Sequence, residues 1–411
     1  MKAGLLTLAL IIAAPLAWAQ DLLITNAMLH SLTDEGVIEN TDILIKEGRI
    51  ARIAPRIPTN KMIRIIDAQG LPVTPALFAG VTVSGLSEVE MVRESVDSSY
   101  RSLYTDLMHP EFDVRVAYNP HSSVIPITRV EGFGYTLLAA TRGDRSLTGQ
   151  GGLVRFDGGY TSFEGKPVVY VQTSGGSASA VGGSRAAHWM LLDQAFSEAA
   201  GEQDLELLSP SGAKALTETR RKGIFVFSAH RAADIMQVLR FAEAQKINPV
   251  IHGASEAWMV ADALAAAQVP VILNALDNLP ADFDSLGSRL DNAARLHAAG
   301  VTVMFSSGET HNARKVRQVA GNAAANGMPH GAALAAISTT PAAVFGGEGR
   351  GITPGARADL VLWSGDPLEV TSLATQVIMG GVPDSMVSRQ TMLRDRYLPP
   401  DDELPRAYIL P

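Results

Sequence analysis

GIFVFSAHRAADIMQVLRFAEAQKINPVIHG, residues 223–253, contains the pattern that decides the fold. Its ends are short apolar runs, and the segment between them repeats apolar residues at helical spacing. Two buried strands joined by one amphipathic helix are typical of a parallel pair with a crossover helix. The same rhythm continues through EAWMVADALAAAQ, VPVILNA, SRLDNAARLHAAG and VTVMFSSG. Such units form either an open doubly wound sheet or a closed (β/α)8 barrel, and residues 75–350 match the roughly 250 residues of a barrel.

Short alternating segments flank the barrel region on both sides and predict strands. Those before it are DLLITNAMLHSL, DILIKEGRIARIA and KMIRIIDAQ, and those after it are ARADLVLWSGDP and ATQVIMGGVPD. Glu47-Gly48 supplies a hairpin turn within the second segment. We therefore expect an α/β protein with a (β/α)8 TIM barrel over residues 75–350. A small discontinuous β-sandwich domain would be formed by both ends of the chain, residues 20–74 and 351–411.

The first residues, MKAGLLTLALIIAAPLAWAQ, predict a secretory signal peptide over residues 1–19 that is cleaved near Ala19. Its apolar run is too short for a membrane-spanning helix, so no membrane association is expected after cleavage. The chain of 411 residues has no cysteine and a formal charge of −8, without a basic run that could bind nucleic acid. These features predict a periplasmic protein without disulfides or thiolate ligands.

Two glycine-rich stretches interrupt the first half of the barrel region. They are SLTGQGG, residues 146–152, and TSGGSASAVGGSRA, residues 173–186. Neither has the glycine spacing of a phosphate-binding loop between a strand and a helix. We expect both to be flexible loops over the barrel mouth.

Function in a parallel barrel lies at the carboxyl ends of the strands. Two consecutive predicted strands end in His230 and His252, so both imidazoles would face one mouth. Each could instead be a hydrogen-bonded structural histidine. The residues that could support the pair, as hydrogen-bond partners or as charge at a helix N-terminus, are Arg231, Asp234 and Glu256. A catalytic zinc centre normally has three protein ligands, and Glu309 and His311 are the nearest candidates to complete the set.

Four stretches together resemble the amidohydrolase superfamily, and specifically its exported imidazolonepropionase-like branch. They are IIDAQGLPVTPALFAGVTVSGL, HRAADIMQVLRFAEA, VIHGASEA and ARADLVLWSGDPLE, and the resemblance extends from Asp21 to Tyr397. The family enters its barrel with a stretch like PGxIDxHxH, whose two metal-binding histidines match Val81 and Val83 here. Its next two histidine ligands match His230 and His252. Its final aspartate falls at Gly308, with Glu309 one residue out of register.

The resemblance implies a hydrolase of carbon–nitrogen bonds in cyclic amides, imides or small dipeptide-like substrates, with a reduced metal site. His230 and His252 would bind one divalent ion, with zinc favoured over iron, manganese and nickel, or the site would hold none. No catalytic residue is assigned. The alternative is a non-catalytic barrel that binds a small ligand or a partner subunit. Self-association and pairing with a related amidohydrolase are both left open.

Overall fold

In the second half of the chain, strands and helices follow one another in the order that the sequence predicts. The computed structural model describes residues 21–58, 63–100, 108–141, 146–349 and 351–398. The predicted signal peptide, residues 1–19, and its cleavage point lie outside the described residues. Within these ranges, no helix is long and apolar enough to cross a membrane.

The strands, in chain order, are β1 (Leu22–His30), β2 (Val37–Lys46), β3 (Arg49–Ala54), β4 (Arg64–Asp67), β5 (Pro72–Pro75), β6 (Leu77–Thr82), β7 (Phe133–Leu138), β8 (Leu147–Arg155), β9 (Phe163–Gln172), β10 (Ile224–Ala229), β11 (Pro249–Gly253), β12 (Val271–Leu273), β13 (Val303–Phe305), β14 (Leu360–Trp363), β15 (Ala374–Met379) and β16 (Val382–Pro383). The α-helices are α1 (Val124–Arg129), α2 (Gly175–Ala180), α3 (Arg185–Ala200), α4 (Pro210–Lys222), α5 (Ala232–Gln245), α6 (Ala261–Ala266), α7 (Asn292–Ala298), α8 (Val316–Ala325), α9 (His330–Ala336), α10 (Thr339–Phe345) and α11 (Arg389–Tyr397).

Both ends of the chain contribute strands to one sheet, in the order β16-β15-β14-β5-β1-β2-β3, with β4 paired to β1. The ends meet where β5 and β14 run antiparallel and Thr74 lies opposite Val361. The predicted hairpin between β2 and β3 is also confirmed. Glu47 and Gly48 connect the strands with φ of 51° and 76°, as the favoured two-residue turn requires. The sheet has its own apolar core, which includes Ile24.

The other eight strands form a nearly closed barrel in the order β13-β12-β11-β10-β9-β8-β7-β6. Strands β9 to β13 are parallel, which confirms the predicted barrel. One departure from a regular (β/α)8 barrel is β8, which runs antiparallel to both β7 and β9. The connection between β7 and β8, residues 139–146, is shorter than the dozen or so residues that a parallel crossover needs. A short connection therefore reverses the chain direction there.

The prediction of a loop was wrong for the first glycine-rich stretch, whereas the second is part loop and part helix. Residues 147–152 lie within β8, where a Cβ on Gly151 would come within 1.9 Å of the Leu138 carbonyl oxygen. Gly151 is thus needed for the close approach of β8 to β7. Residues 173–186 contain α2 and the first turn of α3, and each helix begins with a serine side chain that accepts a backbone N–H bond.

The barrel closes between β6 and β13 through side-chain hydroxyls. The Val81 N–H donates to Ser306 Oγ at 3.1 Å, and the Val83 N–H donates to Thr310 Oγ1 at 2.9 Å. Gly80 has a φ of +86°, and a Cβ there would lie 2.7 Å from Ser306 Oγ. The first and last barrel strands can therefore approach each other only because residue 80 has no side chain.

Replacing Gly80 by alanine should destabilise the protein more than replacing Gly300, which has a φ of +85° but open space around its Cβ position. Gly300→Ala measures only the cost of placing a side chain on a residue with positive φ, about 1–2 kcal/mol. Gly80→Ala adds a clash at the closure, worth about 1–3 kcal/mol more. Urea unfolding of both variants checks this difference. Equal losses would show that Gly80 does not control barrel closure.

Candidate functional site

The structure places His230 and His252 at the same end of the barrel. His230 directly follows β10, and His252 lies in β11, opposite Ser228 of β10. The His230 ring lies over Gly253, where a Cβ would come within 2.5 Å of its Nε2 atom. A glycine at this position therefore gives the His230 ring its space at the mouth.

Each imidazole is held by a hydroxyl group at its Nδ1 atom. His230 Nδ1 lies 2.8 Å from Ser255 Oγ, and His252 Nδ1 is hydrogen-bonded to the Tyr170 hydroxyl. Neither Nε2 atom has a hydrogen-bond partner in the part of the chain that the structure describes. The pair therefore presents two nitrogens that remain available to a ligand.

The inner imidazole is neutral at neutral pH. Burial, with a smaller contribution from the positive charge of a protonated His230, lowers the pKa of His252 to about 4. Burial also raises the pKa of Tyr170 above its ordinary value. A neutral imidazole can donate from one nitrogen and accept, or bind a metal, through the other.

Asp277 follows β12 and places a carboxylate near His230. Asn274 Nδ2 donates to Asp277 Oδ1 at 2.9 Å, which fixes the carboxylate at the end of the strand. Burial raises the pKa of Asp277, while the nearby His230 lowers it in part. The sequence pattern predicted the strand VPVILNA but did not identify Asp277, which follows it.

The three charged residues beside the histidines fix the surrounding loops. Asp234 lies in the first turn of α5, 3.1 Å from Arg185 Nε and 3.5 Å from Arg231 Nε. Glu256 accepts the Ala232 N–H at the start of α5 at 3.0 Å. The expected charge at the helix N-terminus is confirmed, whereas no hydrogen bond joins these carboxylates to the two imidazoles in the described residues.

The structure does not bring Glu309 and His311 to the histidine pair. Their side chains are exposed, and Glu309 Oε2 lies 3.6 Å from His311 Nε2. The hydrogen bond from the Val83 N–H to Thr310 holds this segment against β6. Across the described ranges, no group of three or more histidine, aspartate and glutamate residues could hold a metal ion. Metal binding by His230 and His252 stays a prediction.

A second serine–histidine pair is buried near the carboxyl end of β9, where the Gln172 N–H donates to the Ser146 carbonyl oxygen. Ser146 Oγ is 2.7 Å from His188 Nε2, and these residues are 0% and 1% exposed. Such burial leaves no access for a substrate, so the pair is structural. Burial lowers the pKa of His188 to about 4 from 6.5.

The buried His188 should make stability depend on pH. Between pH 6.5 and 4 the unfolded chain binds a proton that the folded chain does not, so acid lowers the free energy of unfolding. The loss is at most about 3 kcal/mol and is complete near pH 4. Urea unfolding across this range should show a smaller loss for His188→Gln than for the parent. His121→Gln is the control, because His121 is exposed. An unchanged pH dependence in His188→Gln would contradict this account.

Comparison with known proteins gives structural likeness only. No protein-family model and no curated protein sequence matches the chain. An amidohydrolase from Thermotoga maritima MSB8 has a TM-score of 0.77 and 20% identity, over 88% of this chain and 99% of that chain.

Two further solved structures resemble the chain less closely. N-isopropylammelide isopropylaminohydrolase from Burkholderia multivorans has a TM-score of 0.55 and 16% identity, over 89% of this chain and 98% of that one. Beta-aspartyl dipeptidase from Fervidobacterium islandicum AW-1 has a TM-score of 0.54 and 16% identity, over 89% and 96%. With its barrel and its sheet from both ends, the chain shares the fold of the Thermotoga maritima amidohydrolase.

Proposed function

We propose that the protein is a hydrolase of carbon–nitrogen bonds in small cyclic amides, imides or dipeptide-like substrates. The observation that carries this proposal is the pair of hydroxyl-held imidazoles at the barrel mouth, whose Nε2 atoms have no hydrogen-bond partner among the described residues. The names of the similar structures, an isopropylaminohydrolase and a beta-aspartyl dipeptidase, also support chemistry at carbon–nitrogen bonds.

Two imidazoles are the candidate protein ligands that the described residues bring together at the mouth, so we propose at most one metal ion there and not two. Imidazole nitrogens are suitable ligands for zinc, and a hydrogen bond at the other ring nitrogen is the usual arrangement of metal-bound histidines. His230 and His252 would be the protein ligands, with water or substrate in the remaining positions. Val81 and Val83 have no donor atoms in their side chains, so a second ion lacks ligands there. We propose zinc as the ion.

A bound divalent ion would polarise the amide carbonyl and lower the pKa of a water molecule from about 15.7 to nearer 7. Ser255 and Tyr170 would orient the two rings. With glycine at the position of the family's final aspartate, Asp277 is the carboxylate that we assign to proton transfer. The buried Val81 and Val83 side chains would exclude water from the opposite side of the mouth.

A second candidate is a barrel that binds a small ligand or a partner subunit without catalysis. The loop after β12 favours it, because Leu279, Phe283 and Leu286 are 72%, 88% and 60% exposed there. Exposed apolar side chains close together on one loop are a feature of interaction sites. In this case the imidazoles would hydrogen-bond a ligand. Self-association and pairing with a related amidohydrolase are both proposals of this kind. Export to the periplasm is a separate proposal, which rests on the predicted signal peptide.

Metal content of mature protein purified without chelators separates the two candidates. We expect about one equivalent of zinc in the parent and none in His230→Asn/His252→Asn, because two imidazoles supply all the protein ligands. His121→Asn/His297→Asn controls for histidines away from the mouth and should retain the metal. A metal-free parent, or a His230→Asn/His252→Asn variant that still binds metal, would reject the metal-dependent hydrolase and favour the non-catalytic binding barrel.

Asp277→Asn should lower kcat for cyclic amide hydrolysis by about 10²–10⁴-fold, since it removes the assigned proton acceptor. Zinc content should not change. Asp282→Asn is a control on the same loop, because Ser285 Oγ and the Asp284 N–H already donate to the Asp282 carboxylate. A kcat within a few-fold of the parent for Asp277→Asn would exclude Asp277 from the reaction.

A further inference from the structure

Tyr170 and His252 form a buried polar pair inside the barrel. Tyr170 lies in β9 opposite Val226 of β10, and Val226 in turn lies opposite Val250 of β11. His252 is two residues further along β11, on the same inward face as Val250. The Tyr170 hydroxyl thus reaches across β10 to His252 Nδ1, with the two rings at 72° and their centroids 5.8 Å apart.

The chemistry of the two groups gives this hydrogen bond a direction. A neutral phenol is a stronger hydrogen-bond donor than a neutral imidazole N–H, and an imidazole nitrogen is a stronger acceptor than a phenol oxygen. Tyr170 is 2% exposed, so water does not compete for its hydroxyl. These properties favour donation from the hydroxyl to Nδ1, which leaves the single ring proton on Nε2.

We propose that Tyr170 is a positioning residue that sets the tautomer of His252. In the metal-free protein it accordingly fixes an Nε2–H donor at the barrel mouth. A ligand that binds through the Nε2 lone pair requires the other tautomer. Nε2 then releases one proton to solvent, Nδ1 takes up one proton from solvent, and the Tyr170 hydroxyl keeps its own proton but turns from donor to acceptor. The ring stays neutral throughout.

The change of tautomer on metal binding rests on the proposed function, whereas the tautomer in the metal-free protein does not. An Nε2–H donor suits the carbonyl oxygen of an amide even when no metal is present. Tyr170 therefore allows His252 either to donate to an amide ligand or to bind a metal ion. A tyrosine that only filled space would leave both ring nitrogens of His252 free to exchange the proton.

Nitrogen-15 spectroscopy of the histidine rings tests the proposal on metal-free protein. We expect His252 to show one tautomer with the proton on Nε2, and its signals are identified by their loss in His252→Asn. Tyr170→Phe should give averaged signals from both tautomers. Ser255→Ala is the matched control, because its hydroxyl contacts His230 and its removal should leave the His252 signals unchanged. A proton on Nδ1 in the parent, or an unchanged tautomer in Tyr170→Phe, would overturn the proposal.

Zinc titration of the same samples tests the change of tautomer on metal binding. In the parent, zinc should move the His252 proton from Nε2 to Nδ1, and Tyr170→Phe should bind zinc about 10–100-fold more weakly. Tyr135→Phe removes another buried tyrosine hydroxyl, one that donates to the Ser338 carbonyl, and should leave zinc affinity unchanged. If zinc does not alter the parent spectrum, the metal site and the tautomer exchange are both rejected. The metal-free spectra then decide the role of Tyr170 separately.

Discussion

The approach of β6 to β13 at Gly80 is the constraint on which the rest of the barrel depends. Ser306 occupies the space that a side chain at residue 80 would need, and its hydroxyl accepts the next backbone N–H. Once the barrel is closed there, the carboxyl ends of β10 and β11 face the same mouth. The bond from the Val83 N–H to Thr310 draws the following segment towards β6. Glu309 and His311 therefore face solvent, although they are close to the mouth in sequence.

Much of the fold was predictable because its signals are local. The alternation of apolar runs and amphipathic helices after residue 223 defines each strand and helix over a short window. The turn at Glu47-Gly48 is likewise a two-residue signal. The direction of β8 was not predicted, because it depends on the length of its connection and on which strands it pairs with. The glycine-rich sequence of β8 is typical of a loop, yet Gly151 permits close packing against Leu138 in the structure.

The candidate site was predicted in part for a related reason. His230 and His252 end consecutive strands, so their position in the sequence already indicates a common mouth. Tyr170 lies within an apolar strand, and its hydroxyl reaches His252 across β10. This contact depends on the order of the strands in the barrel. Asp277 depends on the path of a loop, which residue types alone do not determine. Sequence order thus predicted the two histidines of the mouth and missed the groups that orient or accompany them.

The sheet built from both ends of the chain has a consequence for the order of folding. Thr74 accepts a hydrogen bond from Trp363, and these residues are 289 positions apart. During synthesis, the edge of β5 that pairs with β14 therefore stays unpaired until nearly the whole chain has emerged. Unpaired edges and late, long-range pairing favour aggregation of incomplete chains. A pathway that keeps the chain unfolded until its last strands are available would suit this topology better than folding from the N-terminus onward.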